Sequence, residues 1–214
     1  MAPNASLAPD RRQRRGTEIR QRLFRSALDL FAQRGFAETT VEDITNAADV
    51  GKGTFFNYFP SKDHLLLAFA EMQLAKLQSI VDNLRTTHEP VPQFLRALGL
   101  RMTEEPGRNP SLVRALLLAN LSSAVVRDAM RVNHARAQEL LTEFIAIGQR
   151  RAELRSDLPP GEIAQVFRQM VFGTLLVWSL YGDDSLESRI RTALDVLWEG
   201  LAARVSMHDP GVAS

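Results

Sequence analysis

Residues 39–65 read TTVEDITNAADVGKGTFFNYFPSKDHL, a segment in which two short helical patterns are separated by a turn. Thr40 is a predicted N-cap, because Asp43 follows three residues later, as in a capping box. The small residues Ala47-Ala48 end this helix, and after the turn Asp49-Val50-Gly51 a further helix begins at once. Small residues let two helices cross closely, so the spacing predicts a helix-turn-helix.

On both sides of this segment, apolar residues recur at helical spacing and are separated by proline and glycine breakers. The pattern predicts helices over 17–34, 41–48, 52–58, 62–85, 92–104, 111–131, 133–154, 161–181 and 185–206. No segment shows the period-two alternation of a strand. The predicted fold is all-α, with an N-terminal three-helix domain and a larger six-helix domain.

Four regions follow from this pattern: a disordered basic arm (1–16), the helix-turn-helix domain (17–61), a larger domain (62–206) and a flexible tail (207–214). Thr17 is the predicted N-cap of the first helix. Between Arg11 and Arg34 lie eight arginines against two acidic residues, although the net charge of the chain is only +1. Such a run is either a solvated surface or a basic arm that neutralises phosphates.

Composition excludes several classes of protein. The chain has no cysteine, and its four histidines are far apart in sequence, so we expect neither a disulfide framework nor a metal site. It lacks a P-loop, a nucleophile elbow and a zinc-protease motif, so we expect no enzyme and no cofactor. The longest uncharged stretch, residues 169–182, has 14 residues and predicts a buried core helix rather than a membrane span. Without a secretory pattern at the N-terminus, we expect a soluble cytoplasmic protein.

The residues that open the third predicted helix have the chemistry of nucleic-acid readout. In a helix-turn-helix, this helix lies in the major groove and presents its N-terminal residues to base edges. Lys52 can neutralise a phosphate, Gly53 allows close backbone approach, and Thr54 offers a hydroxyl and a methyl group. Asn57 can pair with adenine, and Tyr58 follows it. Helical spacing predicts core packing for most phenylalanines of this region, with Phe56 left open.

The same blocks, Lys52-Gly53-Thr54 and Phe59-Pro60-Ser61-Lys62 in register with Gly35-Phe36 and Thr39-Thr40, resemble the TetR family of transcriptional regulators over residues 17–67. The resemblance implies an all-helical homodimer with a DNA-binding head and a ligand-binding body. It also implies that the last two helices, about 161–181 and 185–206, form the dimer interface. The family's DNA-contact positions carry over onto Thr40, Gly51, Lys52, Gly53, Thr54, Phe56, Asn57, Tyr58 and Lys62.

The sequence departs from the usual family pattern at three of these positions. A serine is common where Gly51 stands, and a tyrosine is common where Phe56 and often Asn57 stand. The hydroxyls missing at 51 and 56 would often reach phosphate. These departures affect the operator sequence rather than DNA binding itself.

The family layout also implies a pocket for a small, mostly apolar ligand in the larger domain. The candidate lining residues are Met72, Phe94, Leu98, Met102, Leu117, Asn120, Phe144, Gln169, Phe172 and Trp178. Asn120 lies inside an apolar run, and its amide needs a buried partner, either a structural hydrogen bond or a ligand. The long fourth helix joins the two domains and is the expected lever between ligand and DNA.

The expected function is a ligand-responsive regulator, most simply a repressor that binds a palindromic operator in double-stranded DNA as a homodimer and is released by its ligand. Two other interpretations stay open. One is an α-helical ligand-binding adaptor whose head no longer reads DNA, and the other is a ligand-dependent activator.

Overall fold

The computed structural model describes residues 11–104, 106, 109–122, 124–182 and 184–201. Over these ranges the chain forms nine helices and no strand, which confirms the all-α prediction. The helices are α1 (Arg11–Arg34), α2 (Val41–Ala47), α3 (Lys52–Phe56), α4 (Asp63–Thr86), α5 (Val91–Thr103), α6 (Pro110–Ser122), α7 (Ala124–Arg150), α8 (Pro160–Tyr181) and α9 (Leu186–Leu201).

Helix α1 starts earlier than its sequence pattern predicts. It begins at Arg11, so residues 11–16 of the predicted disordered arm are helical, and residues 1–10 lie outside the described residues. Thr17 stands inside this helix, and its prediction as an N-cap is wrong. Arginine is a good helix former, which lets the helix extend beyond its apolar stripe. Gly16 lies against α3's C-terminal turn, since a Cβ built there would be 3.3 Å from the Tyr58 hydroxyl oxygen.

The boundary between the sixth and seventh helices also differs from the prediction of 111–131 and 133–154. Helix α6 ends at Ser122, and α7 runs from Ala124 to Arg150 without a break near residue 132. Residues 124–147 contain no glycine or proline, so nothing interrupts the backbone hydrogen bonds there. The end of α7 is instead marked by Ala152, whose φ of 55° lies in the left-handed region.

Contacts group the chain into two units, of which the first comprises Met1–Ala70 and Arg108–Met130. Its core contains Leu23, Phe31, Ile44, Phe55, Phe59, Leu65 and Leu66, all at most 1% exposed. Helix α6 belongs to this unit because it packs on α1 and adds Leu112 and Ala115 to the same core. The helix-turn-helix domain predicted over residues 17–61 does not include α6. The apolar stripe of a helix shows that one side is buried, but it does not show which other helix it packs against.

The second unit comprises Glu71–Gly107 and Arg131–Ser214. Within it, α9 packs against both α5 and α8. Gly99 permits the approach of α5 to α9, because a Cβ built there would lie 2.5 Å from the Leu194 Cδ1 atom. The C-terminal end of α4 is held by Arg151, whose guanidinium donates to the carbonyl oxygens of Leu84 at 2.8 Å and Thr87 at 2.6 Å.

Helix α8 is not the buried core helix that its composition predicts. It is the one helix among the described residues that is long and apolar enough to cross a membrane, and 28% of its apolar window is buried. One side, with Trp178 and Ser179, is buried within the unit. The other side exposes Val166, Phe172, Leu176, Val177 and Leu180. The sequence pattern shows that this helix is apolar, but it does not show whether its own chain covers it.

Candidate nucleic-acid interface

The predicted capping box at the start of α2 is present. The Thr40 hydroxyl donates to Asp43 Oδ2 at 2.6 Å, and the Thr40 backbone N–H donates to the same oxygen at 2.8 Å. In return, the Asp43 N–H donates to Thr40 Oγ1 at 3.1 Å. These bonds from Thr40 and the Arg34 guanidinium, 2.9 Å away, hold the pKa of the Asp43 carboxyl below its usual range. The capping box therefore fixes where α2 begins.

The turn between α2 and α3 has the tight geometry that the sequence predicts. Asp49 adopts a φ of 50°, and the Val50 N–H donates to the Thr45 carbonyl at 3.0 Å. Gly51 then enters α3 in an ordinary extended conformation, with a φ of −73°. A Cβ built on Gly51 or Gly53 meets no atom within 4 Å, so the first unit itself leaves room for a side chain at either position. The glycine that replaces the family's usual serine is therefore not required by local packing.

Helix α3 separates an inward face from an outward one. Phe55 is 0% exposed, whereas the adjacent Phe56 is 49% exposed. The predicted contact residues Gly51, Lys52, Gly53, Phe56 and Asn57 are exposed together on and beside this helix, and Thr54 and Tyr58 are half-buried. The helix ends at Phe56, two residues before its predicted end at 58, with Asn57 as its C-cap.

Lys62 lies in a different setting from the other predicted contacts. Its ammonium donates to the carbonyl oxygens of Phe36 at 2.6 Å, Thr39 at 2.8 Å and Ala37 at 3.4 Å. It also lies 4.3 Å from the centre of the Phe36 ring. Burial lowers the pKa of Lys62, and the nearby carboxylates of Asp63 and Glu38 partly oppose this shift.

The basic run is presented along α1. Seven of its arginines are exposed there: Arg11, Arg14, Arg15, Arg20, Arg22, Arg25 and Arg34. Arg20 lies 5.2 Å from the centre of the Phe59 ring, and Arg34 pairs with Asp43. The remaining arginines supply positive charge on the same unit that carries α3, as a phosphate-binding surface would need.

The ten predicted ligand-lining residues have different environments. Phe94, Leu98, Phe144 and Trp178 are buried, and Met72, Met102, Leu117 and Asn120 are half-buried. Gln169 and Phe172 are exposed, so they do not lie in the interior of the second unit. The Trp178 indole N–H donates to the Asp184 carbonyl at 2.7 Å, a structural bond that sequence reasoning did not predict. Leu117 and Asn120 belong to the first unit, unlike the other eight.

One groove in the second unit runs between α4 and α5 and has a volume of about 470 Å³. It is lined by Ser79, Ile80, Asn83, Glu89, Gln93, Phe94, Ala97 and Arg101. Only Phe94 among these was predicted from the sequence, because polar residues on helix surfaces carry no periodic signal of a cavity. Among the residues that the structure describes, no cluster of three histidine or acidic side chains could hold a metal ion.

Comparisons with known proteins agree with this geometry. A family model described as bacterial regulatory proteins of the tetR family matches residues 23–69. The transcriptional regulator TcmR of Streptomyces glaucescens is 30% identical over 201 residues, covering 88% of this chain and 87% of TcmR. The transcriptional regulator AcuR of Cereibacter sphaeroides is 27% identical over 176 residues, which cover 78% of this chain and 74% of AcuR.

Solved structures show the same architecture. The Thermus thermophilus repressor FadR, solved with lauroyl-CoA, is 29% identical with a TM-score of 0.63, covering 90% of this chain and all of FadR (100%). The Bacillus subtilis regulator FadR, solved with stearoyl-CoA, is 17% identical with a TM-score of 0.71, covering 84% of this chain and 98% of that protein. The second likeness concerns the fold alone.

Proposed function

Because this chain belongs to the TetR family of bacterial transcriptional regulators, we propose that it is a cytoplasmic repressor that binds a palindromic operator as a homodimer and is released by a small, mostly apolar ligand. Family membership makes it a DNA-binding regulator and confirms the prediction that it is not an enzyme.

The observation that carries the proposal is the outward face of α3. Phe55 and Phe59 anchor the helix and its C-terminal turn in the core, and Lys52, Phe56 and Asn57 face solvent beside two glycines. A helix that is anchored in the core by aromatic residues on one side and open to solvent on the other suits insertion into the major groove. Thr54, Asn57 and Tyr58 would read bases, and Phe56 would contact a sugar or a thymine methyl group. Lys52, Thr40 and the exposed arginines of α1 would bind phosphates.

The exposed apolar side of α8 supports the homodimer through α8 and α9. Contiguous apolar surface on a soluble protein marks an interaction site, and a second copy would cover it. Gly173 lies on this side, and a Cβ built there meets no atom of its own chain within 4 Å. A glycine at this exposed position would let a helix of the partner approach closely. A twofold axis would place two α3 helices roughly 34–36 Å apart, in successive major grooves of a palindrome.

The ligand is proposed for the second unit. The two FadR proteins bind acyl-CoA molecules, which carry long apolar chains. The buried Phe94, Leu98 and Phe144 offer an apolar environment of that kind. A ligand that prefers one arrangement of the dimer would weaken DNA binding by its difference in affinity for the two arrangements.

The first test is selection of binding sites from a random double-stranded DNA pool at two salt concentrations. A palindromic consensus with half-sites about one helical turn apart is the expected result. Binding without a consensus, lost at moderate salt, would show that the basic surface binds but α3 does not read sequence. No binding at either salt would favour the ligand-binding adaptor, after bound ligand has been removed.

Replacing Asn57 with alanine is expected to change sequence preference at one or two base pairs of each half-site. The amide would lose its bidentate pairing with a base, a contact worth about 1–3 kcal/mol of discrimination. Repeating the selection with the Asn57→Ala protein measures this change. Unchanged preference and affinity would mean that α3 lies in the groove in another register.

Replacing Lys52 with alanine is expected to weaken binding to all duplexes alike. One lost phosphate contact should reduce the slope of log K against log salt by about 0.9. The slope is obtained from affinities measured over a salt series on operator and on random DNA. A change confined to operator DNA would assign Lys52 to base readout instead.

A further inference from the structure

We propose that Lys62 is a positioning residue of the helix-turn-helix, whose ammonium ties the segment leading into α2 to the segment following α3 and so fixes the orientation of α3. This inference deepens the proposed function and rests on it, because it concerns how the same surface is presented to DNA.

The position of Lys62 in the chain is the first argument. Its acceptors, in residues 36–39, immediately precede α2, and Lys62 itself comes just after α3 and its C-terminal turn. The contacts join residues 23 to 26 positions apart. The two helices therefore lie inside a loop of chain that this one side chain closes.

The chemistry of the contact is the second argument. An ammonium has three N–H donors, and the carbonyl oxygens of Phe36, Ala37 and Thr39 accept all three. Hydrogen bonds from a charged donor are stronger than neutral ones, and the Phe36 ring face adds a cation–π contact. In this arrangement, Lys62 has no donor left over for a phosphate.

Among the described residues, the segment in front of α2 is joined to the chain after α3 by the hydrogen bonds of Lys62, whereas its other contacts reach α1, α2 or the segment itself. The Thr39 hydroxyl donates to the Gly35 carbonyl at 2.7 Å, and Thr39 is fully buried. Loss of the ammonium would leave Ile44 and Phe55 in the core but would remove the hydrogen bonds that join the segment in front of Thr40 to the chain after α3, which would loosen that segment. DNA binding would then have to order this segment. The conformational entropy lost in ordering it would lower the affinity for DNA.

The test compares Lys62→Met with Lys52→Met, the same replacement at an exposed lysine. Both variants lose one ammonium and keep an apolar stem. Lys62→Met is expected to lower operator affinity about tenfold, leave the salt slope unchanged and reduce the ratio of operator to random-DNA affinity. Lys52→Met is expected to lower both affinities and reduce the slope by about 0.9.

Two results would overturn the proposal. A slope for Lys62→Met that falls by about 0.9, with an unchanged operator-to-random ratio, would show that Lys62 is a phosphate ligand. A variant that melts at a lower temperature but binds operator like the wild type when folded would show a role in stability alone.

A second variant keeps the proposal testable if Lys62→Met does not fold. Phe36→Leu removes the aromatic face beneath the ammonium without changing any charge, and it keeps an apolar side chain against Phe31, whose ring packs 5.0 Å from that of Phe36. It is expected to lower the operator-to-random ratio at an unchanged slope, whereas a phosphate-binding Lys62 would leave both unaltered.

Amide hydrogen exchange in the free protein separates this inference from the proposed function. Lys62→Met is expected to accelerate exchange in residues 35–40, and Lys52→Met is not. If the wild type selects no operator, the proposed function fails. Accelerated exchange in Lys62→Met would still establish that Lys62 holds the segment in front of α2 in place. Unchanged exchange in residues 35–40 would refute the positioning role of Lys62, whatever the result with DNA.

Discussion

Replacing Phe55 with alanine is expected to destabilise the helix-turn-helix unit strongly and to reduce operator binding sharply. Phe55 is 0% exposed, and its ring packs 5.7 Å from that of Phe59 and 5.3 Å from that of Phe56. Removing a buried phenylalanine side chain costs about 3–5 kcal/mol. Since small domains are stable by about 5–15 kcal/mol, the loss is a large share of the total. Denaturant unfolding followed by circular dichroism measures it.

The neighbouring Phe56 provides a matched control, because it is the same residue type on the same helix but 49% exposed. Phe56→Ala is expected to change the free energy of unfolding by about 0.5 kcal/mol and to reduce operator affinity several-fold. Equal destabilisation by the two substitutions would contradict the assignment of inward and outward faces on α3.

Replacing Leu176 with aspartate is the second substitution with a large expected effect. Leu176 is 47% exposed in a single chain and lies on the apolar side of α8 proposed as the dimer interface. A carboxylate there would be buried without a partner on dimerisation, which is strongly unfavourable. We expect a dimer dissociation constant raised by at least about 100-fold, and operator affinity lost in parallel because one subunit contacts only one half-site. Analytical ultracentrifugation and operator binding measure the two effects.

Val132→Asp is the control for this experiment, since Val132 is 70% exposed on α7. It introduces the same charge at an exposed apolar position outside the proposed interface, and the dimer should persist. The free energy of unfolding of the single subunit should be similar in both variants. A Leu176→Asp protein that dimerises like the wild type would place the interface elsewhere.

The local structure of the DNA-binding head was predictable from the sequence. The Thr40–Asp43 capping box and the turn ending at Gly51 depend on residues at most a few positions apart. The inward placement of Phe31, Phe55 and Phe59 follows from helical spacing. Such interactions involve little loop closure, so the residues themselves largely determine them.

The environment of Lys62 was not predictable in this way. The sequence places a lysine near the start of α4, and the family resemblance implies a phosphate contact. Its carbonyl partners lie 23 to 26 residues earlier in the chain, and backbone carbonyls leave no trace in the sequence. The same holds for the groove beside Phe94, because its polar lining consists of ordinary surface residues from α4, α5 and the loop between them.

The sequence by itself determined that the chain is helical, where the helix-turn-helix lies and which side of α3 packs into the core, because caps, turns and helical periodicity act over a few residues. Only the tertiary structure decided that α6 packs with the head and that α8 exposes one apolar side. It alone decided that Lys62 closes a loop around α2 and α3. An apolar helix face or a charged side chain could contact any of several segments. Which one it contacts depends on packing between segments that are far apart in the chain.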